Sequence, residues 1–169
     1  VDAMWSAIAA NKKPLIKFMS TKANLMGLSQ LEYADYRASI PSSTKDELTY
    51  DKSAKIIIDL FTSASPKMGA FAERAMRDGW VTASVTEKKR AGGFCANFPL
   101  SQESRILMAF SNCQRSQSTL AHELGHAFHN EAMKDLPAMQ RDVPCNLAET
   151  ASTMCEMMVH DNAIRNAKS

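Results

Sequence analysis

Apolar residues recur at intervals of three and four through the opening of the chain, at Met4, Ile8, Leu15, Phe18 and Met19. That stripe predicts an amphipathic helix from Val1 to about Gly27, where the glycine ends it. Turn residues open the stretch IPSSTKDELTYDKSAKIIIDLF, and a helical run follows. Thr44 three residues before Glu47, or Thr49 close to Asp51, supplies its start. A further helix is predicted over SPKMGAFAERAMRDGW, capped by Ser65, with Pro66 at its first position and its end near Gly79. Beyond Trp80 the period changes. The runs VTASV, GGFCANF and RILMAF are short, rich in β-branched, aromatic and aliphatic residues, and separated by polar turns. They predict a small antiparallel sheet. The helical pattern returns at about Ser118, passes Phe128, breaks through KDLPAMQRDVP and resumes from about Asn146 to near the end. The fold class is therefore mainly α with a small antiparallel β-sheet: a helical lead over residues 1–79, the sheet over 80–117, and two helices over 118–169.

The penultimate helix carries the chemistry. Three of the four histidines lie in TLAHELGHAFHN, Thr119 to Asn130. His122 and His126 are four residues apart, so on a helix they stand about 40° apart in angle and about 6 Å apart along the axis, where two imidazoles can grip one ion. Glu123 projects from the flank of that face and can reach a water beside the ion without ligating the ion itself. The pattern is H-E-x-x-H. Leu120, Leu124, Ala127 and Phe128 form an apolar arc on the opposite side, so the helix can be packed in a core while its polar face looks into a cleft. Gly125 costs about 1 kcal/mol relative to Ala inside a helix and needs a packing or access reason, such as a strand or a metal passing close by.

A catalytic zinc takes three protein ligands and leaves a position open. Cys145, Glu149 and Glu156 follow at offsets of four and seven residues and share one face of the last helix, whereas Cys155 points elsewhere. Glu149 also sits three residues after Asn146, in a capping-box-like pattern. Spacing leaves the third ligand open.

Composition excludes other classes. With 45% hydrophobic and 22% charged residues, the 169-residue chain is an ordinary globular sequence. Twenty basic residues against eighteen acidic ones leave a formal charge of +2, too little to draw nucleic acid or an anionic membrane. Lys88, Lys89 and Arg90 read as a solvated turn between strands rather than a nucleic-acid patch. Cys95, Cys113, Cys145 and Cys155 show no C-x-x-C spacing and read as free thiols. The eleven methionines read as core filler. The opening VDAMWSAIAANKKPLIKF places charges where a secretory segment needs an unbroken apolar run, so the expected location is cytoplasmic, with no membrane span.

HELGHAFH, followed after a proline-bearing loop by LAETAST and then Glu156, resembles the active-site core of the oligoendopeptidase F family, zinc metallopeptidases related to thimet oligopeptidase. FAERAMRDGWVTASVTEKKRAGGFCANF is similar to that family's helix, Trp-containing strand and Gly-rich strand ahead of the zinc helix, so the resemblance covers essentially the whole chain. It implies a zincin-like metallopeptidase core, zinc as cofactor, and oligopeptides as substrates. It also implies that His122, His126 and Glu149 hold the metal, with Glu123 as the base. Glu156 then either accepts a hydrogen bond from a ligating imidazole or forms a plain surface ion pair. His129 matches the histidine that follows the family's motif and is either such an outer partner or a merely buried histidine, while His160 is expected in solvent. Gly92 and Gly93 suit an edge strand that pairs with an extended peptide, or else a bulge or tight turn.

Family members are several times longer, which makes this chain a partial catalytic domain whose uncovered apolar surface favours self-association. The family's transition-state donors, a Tyr and a His, follow the last zinc-ligand helix, whereas Tyr33, Tyr36 and Tyr50 all precede it. The alternative reading is accordingly a non-catalytic zinc-binding module, or an inactive fragment of a larger peptidase. A helical module that binds nucleic acid or a partner through Lys88 to Arg90 is the third, and the near-neutral charge argues against it.

Overall fold

The computed structural model describes residues 1–38, 40, 47–85 and 92–167, so Thr44 and the Lys88–Arg90 run lie outside the described residues. The chain divides into two compact units, Val1–Asp46 and Glu47–Ser169. In the first, the predicted single helix is two helices, α1 (Asp2–Ala10) and α2 (Lys12–Leu25). Pro14 is the reason. Within a continuous helix its ring would meet the carbonyl four residues back, whereas in the first turn of a new helix its missing N–H is no loss. Asn11 makes the joint: its backbone leaves the helical region at φ −106°, ψ 13°, and its side-chain amide donates to the Ala7 carbonyl at 2.8 Å. The predicted stripe is not buried within this unit, since Met4, Ile8, Leu15 and Phe18 are each at least half exposed. Ala23 is buried, and Lys22 lays its stem inward while its ammonium donates to the Tyr36 carbonyl at 2.8 Å.

The second unit opens with α3 (Tyr50–Ala64), whose N-cap is Thr49; the hydroxyl accepts from the Lys52 amide at 3.3 Å. Ser65 stands at the N-cap of α4 (Pro66–Arg77) without a side-chain cap bond, so its extended backbone and Pro66 set that start. Three strands follow: β1 (Val81–Thr82), β2 (Gly93–Phe98) and β3 (Glu103–Met108), in the order β1-β3-β2. β2 and β3 are antiparallel with Phe94 opposite Leu107, but β1 runs parallel to β3, with Val81 opposite Ile106. The sheet is therefore mixed. β3 is its central strand and alternates strictly, burying Ser104, Ile106 and Met108. β1 takes the other flank of β3, where the Trp80 carbonyl accepts from the Ile106 amide at 2.8 Å and the indole stays in the core. β2 is left at the sheet's edge, with Phe94 and Phe98 half exposed.

Helix α5 (Gln114–Met133) begins four residues ahead of the predicted Ser118, with Cys113 at its N-cap. After a short 3-10 turn at Ala138–Gln140 the last helix, α6, runs Cys145–Asn166. One core joins the helices and the sheet, built from Ile57, Phe61, Phe71, Trp80, Ile106, Leu120, Leu124 and Val159 among others. The predicted arc of α5 faces it: Leu120, Leu124 and Ala127 are buried, and Phe128 meets Phe71 edge-on at 5.4 Å. The methionines divide. Met68 and Met108 are core, whereas Met139, Met154 and Met157 are exposed, the last two on one face of α6.

Helices α5 and α6 approach closely at Gly125. A Cβ on Gly125 would stand 2.7 Å from Ser152 Cα, 2.8 Å from the Ala151 carbonyl oxygen and 3.0 Å from Cys155 Sγ. The glycine's reason is thus a neighbouring helix rather than a strand or a metal. Two of the three atoms are backbone, so relief requires moving α6 as a whole. Gly125→Ala is therefore expected to destabilise the fold by about 1–3 kcal/mol, the overpacking cost exceeding the gain in helix propensity; urea unfolding of the two proteins measures it.

Candidate metal centre

Successive turns of α5 carry His122 and His126, whose rings stand 4.9 Å apart and nearly perpendicular. Because α6 lies against Gly125, its Glu149 reaches both: Oε2 is 3.2 Å from Nε2 of His122 and 3.4 Å from Nε2 of His126. One ligand atom from each of the three side chains lies within 4.8 Å of the others. Around a tetrahedral ion with arms of about 2.0–2.1 Å, neighbouring ligand atoms are about 3.3 Å apart. The donor set fits such an ion. On the far side of His122, Nδ1 lies 3.2 Å from Glu156 Oε2. With the ring proton donated there, Nε2 offers a lone pair, and it faces a carboxylate oxygen that is itself only an acceptor. Two acceptors turned toward one another are satisfied by a positive charge between them, either a metal ion or a proton on the imidazole.

The surroundings tune these groups. The Ser152 hydroxyl, fully buried, donates to Glu149 Oε2 at 2.7 Å, and this bond is the main cause that holds the Glu149 carboxyl below the usual carboxylate range. Burial lowers His126 from its ordinary value against the pull of Glu149, which favours the neutral, ligating imidazole. Glu123 is only 5% exposed, and burial raises its carboxyl above the usual range, with Glu149 adding to the rise and His122 opposing it. Strand β2 passes directly over it: a Cβ on Gly93 would lie 3.0 Å from both Cγ and Oε1 of Glu123. Gly93, Glu123, His126 and Glu149 line a cleft of about 540 Å³ whose walls also include His122, His129 and Arg141.

A sequence model of peptidase family M3 matches residues 15–169. The chain belongs to peptidase family M3. Among solved structures it is similar to a protein of Chlamydophila abortus assigned as a peptidase, with a TM-score of 0.74 and 22% identity over 97% of this chain and 27% of that one. A protein of Bacillus anthracis str. Ames assigned as an oligoendopeptidase F gives 0.78 and 16% over 91% and 29%. PZ peptidase A, solved with an inhibitor, gives 0.74 and 18% over 85% and 26%. These likenesses are of fold, and the chain spans little more than a quarter of each neighbour's length. No curated protein sequence matches it.

Within this M3 fold His122, His126 and Glu149 converge, Glu123 lies beside them, and Glu156 meets the outer nitrogen of His122. His129 lines the same cleft beyond His126, where its charge opposes that of His126. Gly92 has φ +112° and faces open space, while Gly93 faces Glu123. Cys145 is exposed in the first turn of α6, outside the cluster. The Asn146–Glu149 capping pattern is not used, because α6 already begins at Cys145 behind Pro144 and Asn146 is its second residue.

Three participants escape the motif. Ser152 binds Glu149, Ser118 Oγ donates to Glu156 Oε1 at 3.1 Å, and His160 Nε2 lies 2.9 Å from Ser118 Oγ rather than in open solvent. Their signal was helical spacing: Ser118 precedes His122 by four residues, and His160 follows Glu156 by four. Replacing Ser152 by Ala keeps the packing at Gly125 and removes the hydroxyl. The Glu149 pKa is then expected to rise toward the ordinary carboxylate value, as carbon-13 NMR titration of the metal-free protein would record.

Proposed function

We propose that this chain forms the metal-binding core of a zinc-dependent endopeptidase that hydrolyses oligopeptides. The observation that carries the reading is the meeting of two imidazole Nε2 atoms and one carboxylate oxygen at 3.2 and 3.4 Å, on a chain of family M3. His122, His126 and Glu149 would hold the ion. Zinc bound there supplies Lewis-acid polarisation of the scissile carbonyl and a water whose pKa is lowered to about 7. Glu123, buried beside the cleft and raised in pKa, takes a proton from the attacking water and hands one to the departing amine. Its carboxylate is buried with Gly93 close against it, so it needs little reorganisation before proton transfer. The backbone of edge strand β2, entered through Gly92 and Gly93, offers hydrogen-bonding groups to an extended peptide laid along the cleft. His129 and Glu156 support the ligating histidines from outside.

We read residues 1–169 as part of a catalytic domain, with a helical lead to residue 79, a sheet over 80–117 and the zinc-binding helices over 118–169. A cytoplasmic location accords with the free thiols, and among the described residues no helix is long and apolar enough to cross a membrane. Self-association through the exposed apolar residues of α1 and α2 belongs to the same reading.

Elemental analysis of the purified chain is expected to find about one zinc per molecule. Glu149→Ala is expected to weaken zinc binding by more than about 100-fold, beyond the effect typical of an outer partner. Retention of zinc by that variant, with loss in Glu156→Ala or Cys145→Ala, would overturn the ligand assignment.

Glu123→Gln is expected to keep both zinc and fold while peptide hydrolysis falls by about 10²–10⁴-fold, as suits a residue that acts on protons rather than on the ion. A fluorogenic peptide assay of parent and variant decides it. Undiminished turnover in the variant excludes the general base, and stoichiometric zinc without any hydrolysis in the parent favours the alternative, a non-catalytic module or an inactive fragment of a larger peptidase.

A further inference from the structure

Behind the candidate centre, α5 and α6 share a second polar contact that the motif does not contain. Glu156 of α6 is held at both oxygens by α5: Oε2 lies 3.2 Å from His122 Nδ1, and Oε1 accepts from Ser118 Oγ at 3.1 Å. Ser118 and His122 are one turn apart on the same face, so the two bonds form a clamp from a single helix on a single carboxylate. Ser118 is 4% exposed, and a buried hydroxyl needs partners. It has two: its proton goes to Glu156, and its oxygen lies 2.9 Å from Nε2 of His160, one turn beyond Glu156 on α6. With the serine proton committed, the imidazole N–H donates to the hydroxyl. The same nitrogen lies 3.4 Å from Glu156 Oε1, so it backs the carboxylate as well.

We infer that Ser118 and His160 are positioning residues for metal binding: acting through Glu156, they fix the plane of its carboxylate and thereby the ring orientation and tautomer of His122. The inference rests on the zinc centre proposed above. A glutamate has three rotatable side-chain bonds, and one contact at Oε2 leaves its plane free to swing. The second contact at Oε1 removes that freedom. His122 then donates from Nδ1 in a constant direction, and its Nε2 lone pair points where Glu149 and Nε2 of His126 converge. Ser118 and His160 touch neither the cleft nor the ligand atoms, and their effect on the centre passes through Glu156.

The test is the zinc affinity of the 169-residue chain, read by competition with a chromogenic chelator, beside the melting temperature of the metal-free protein. Ser118→Ala and His160→Ala are each expected to weaken zinc binding about two- to tenfold, the worth of one net hydrogen bond. Glu156→Ala should cost about 10–100-fold. Ser118→Thr, which keeps the hydroxyl, should restore the parent affinity, and Ser118→Ala should add nothing in the Glu156→Ala background. Tight zinc in the parent with unchanged affinity in both Ser118→Ala and His160→Ala overturns this inference alone. An equal loss on Ser118→Ala with and without Glu156 overturns it too, since the serine would then act by another route. A parent that binds zinc no better than His122→Ala overturns the centre itself, and its support with it.

Discussion

The candidate centre depends on how closely α6 can approach α5. Ligands on two helices reach one ion only if the helices touch at the level of the site, and Gly125, between His122 and His126, lets the backbone of Ala151 and Ser152 come within van der Waals distance. Any side chain there would push α6 outward and carry Glu149 away from the imidazoles. The cost of a glycine in mid-helix, about 1 kcal/mol in propensity, is offset by what the contact permits. Leu120, Leu124 and Ala127 hold α5 to the core on its other side, so the approach is fixed from both faces.

From that contact the polar groups arrange themselves in order along the two helices. Ser152 lies against Gly125 and its hydroxyl holds Glu149; a turn further along α6 Glu156 meets His122 and Ser118; a turn beyond that His160 closes on Ser118. The four-residue period of each helix keeps these groups in step, so one seam supplies both the converging ligand atoms and their outer partners. Strand β2 adds the remaining wall. Gly93 brings it down onto Glu123, and the same approach desolvates that carboxyl and raises its pKa. Packing and proton chemistry have one cause here.

The helices and their ends were largely legible, because period, caps and breakers are local. Thr49, Pro66, Gly79 and the loop over 134–144 stand where the pattern predicts. The break at Asn11 was missed: Pro14 carried its signal, and the apolar stripe argued for one continuous helix instead. The parallel run of β1 could not be read, since strand direction follows from which side of β3 the chain takes, and no residue of VTASV encodes that choice. The methionines show the same gap: Met68 and Met154 are chemically alike, and only the position of neighbouring elements buries one and exposes the other.

For the site, the order of residues along α5 is enough to place His122, Glu123 and His126 together, because a helix converts spacing into direction without help from the rest of the fold. The sequence by itself therefore determined the pair of imidazoles, the carboxylate at their flank and the apolar arc behind them. Helical spacing left Cys145, Glu149 and Glu156 equivalent, since all three share a face of α6, and only the family resemblance singled out Glu149. Tertiary structure separates them by axial height: α6 meets α5 at Ser152, which puts Glu149 level with both Nε2 atoms, Glu156 behind His122, and Cys145 out in solvent. Angular position is a property of one helix. Height relative to a second helix depends on where the two touch, and the absence of a Cβ at Gly125 allows that contact.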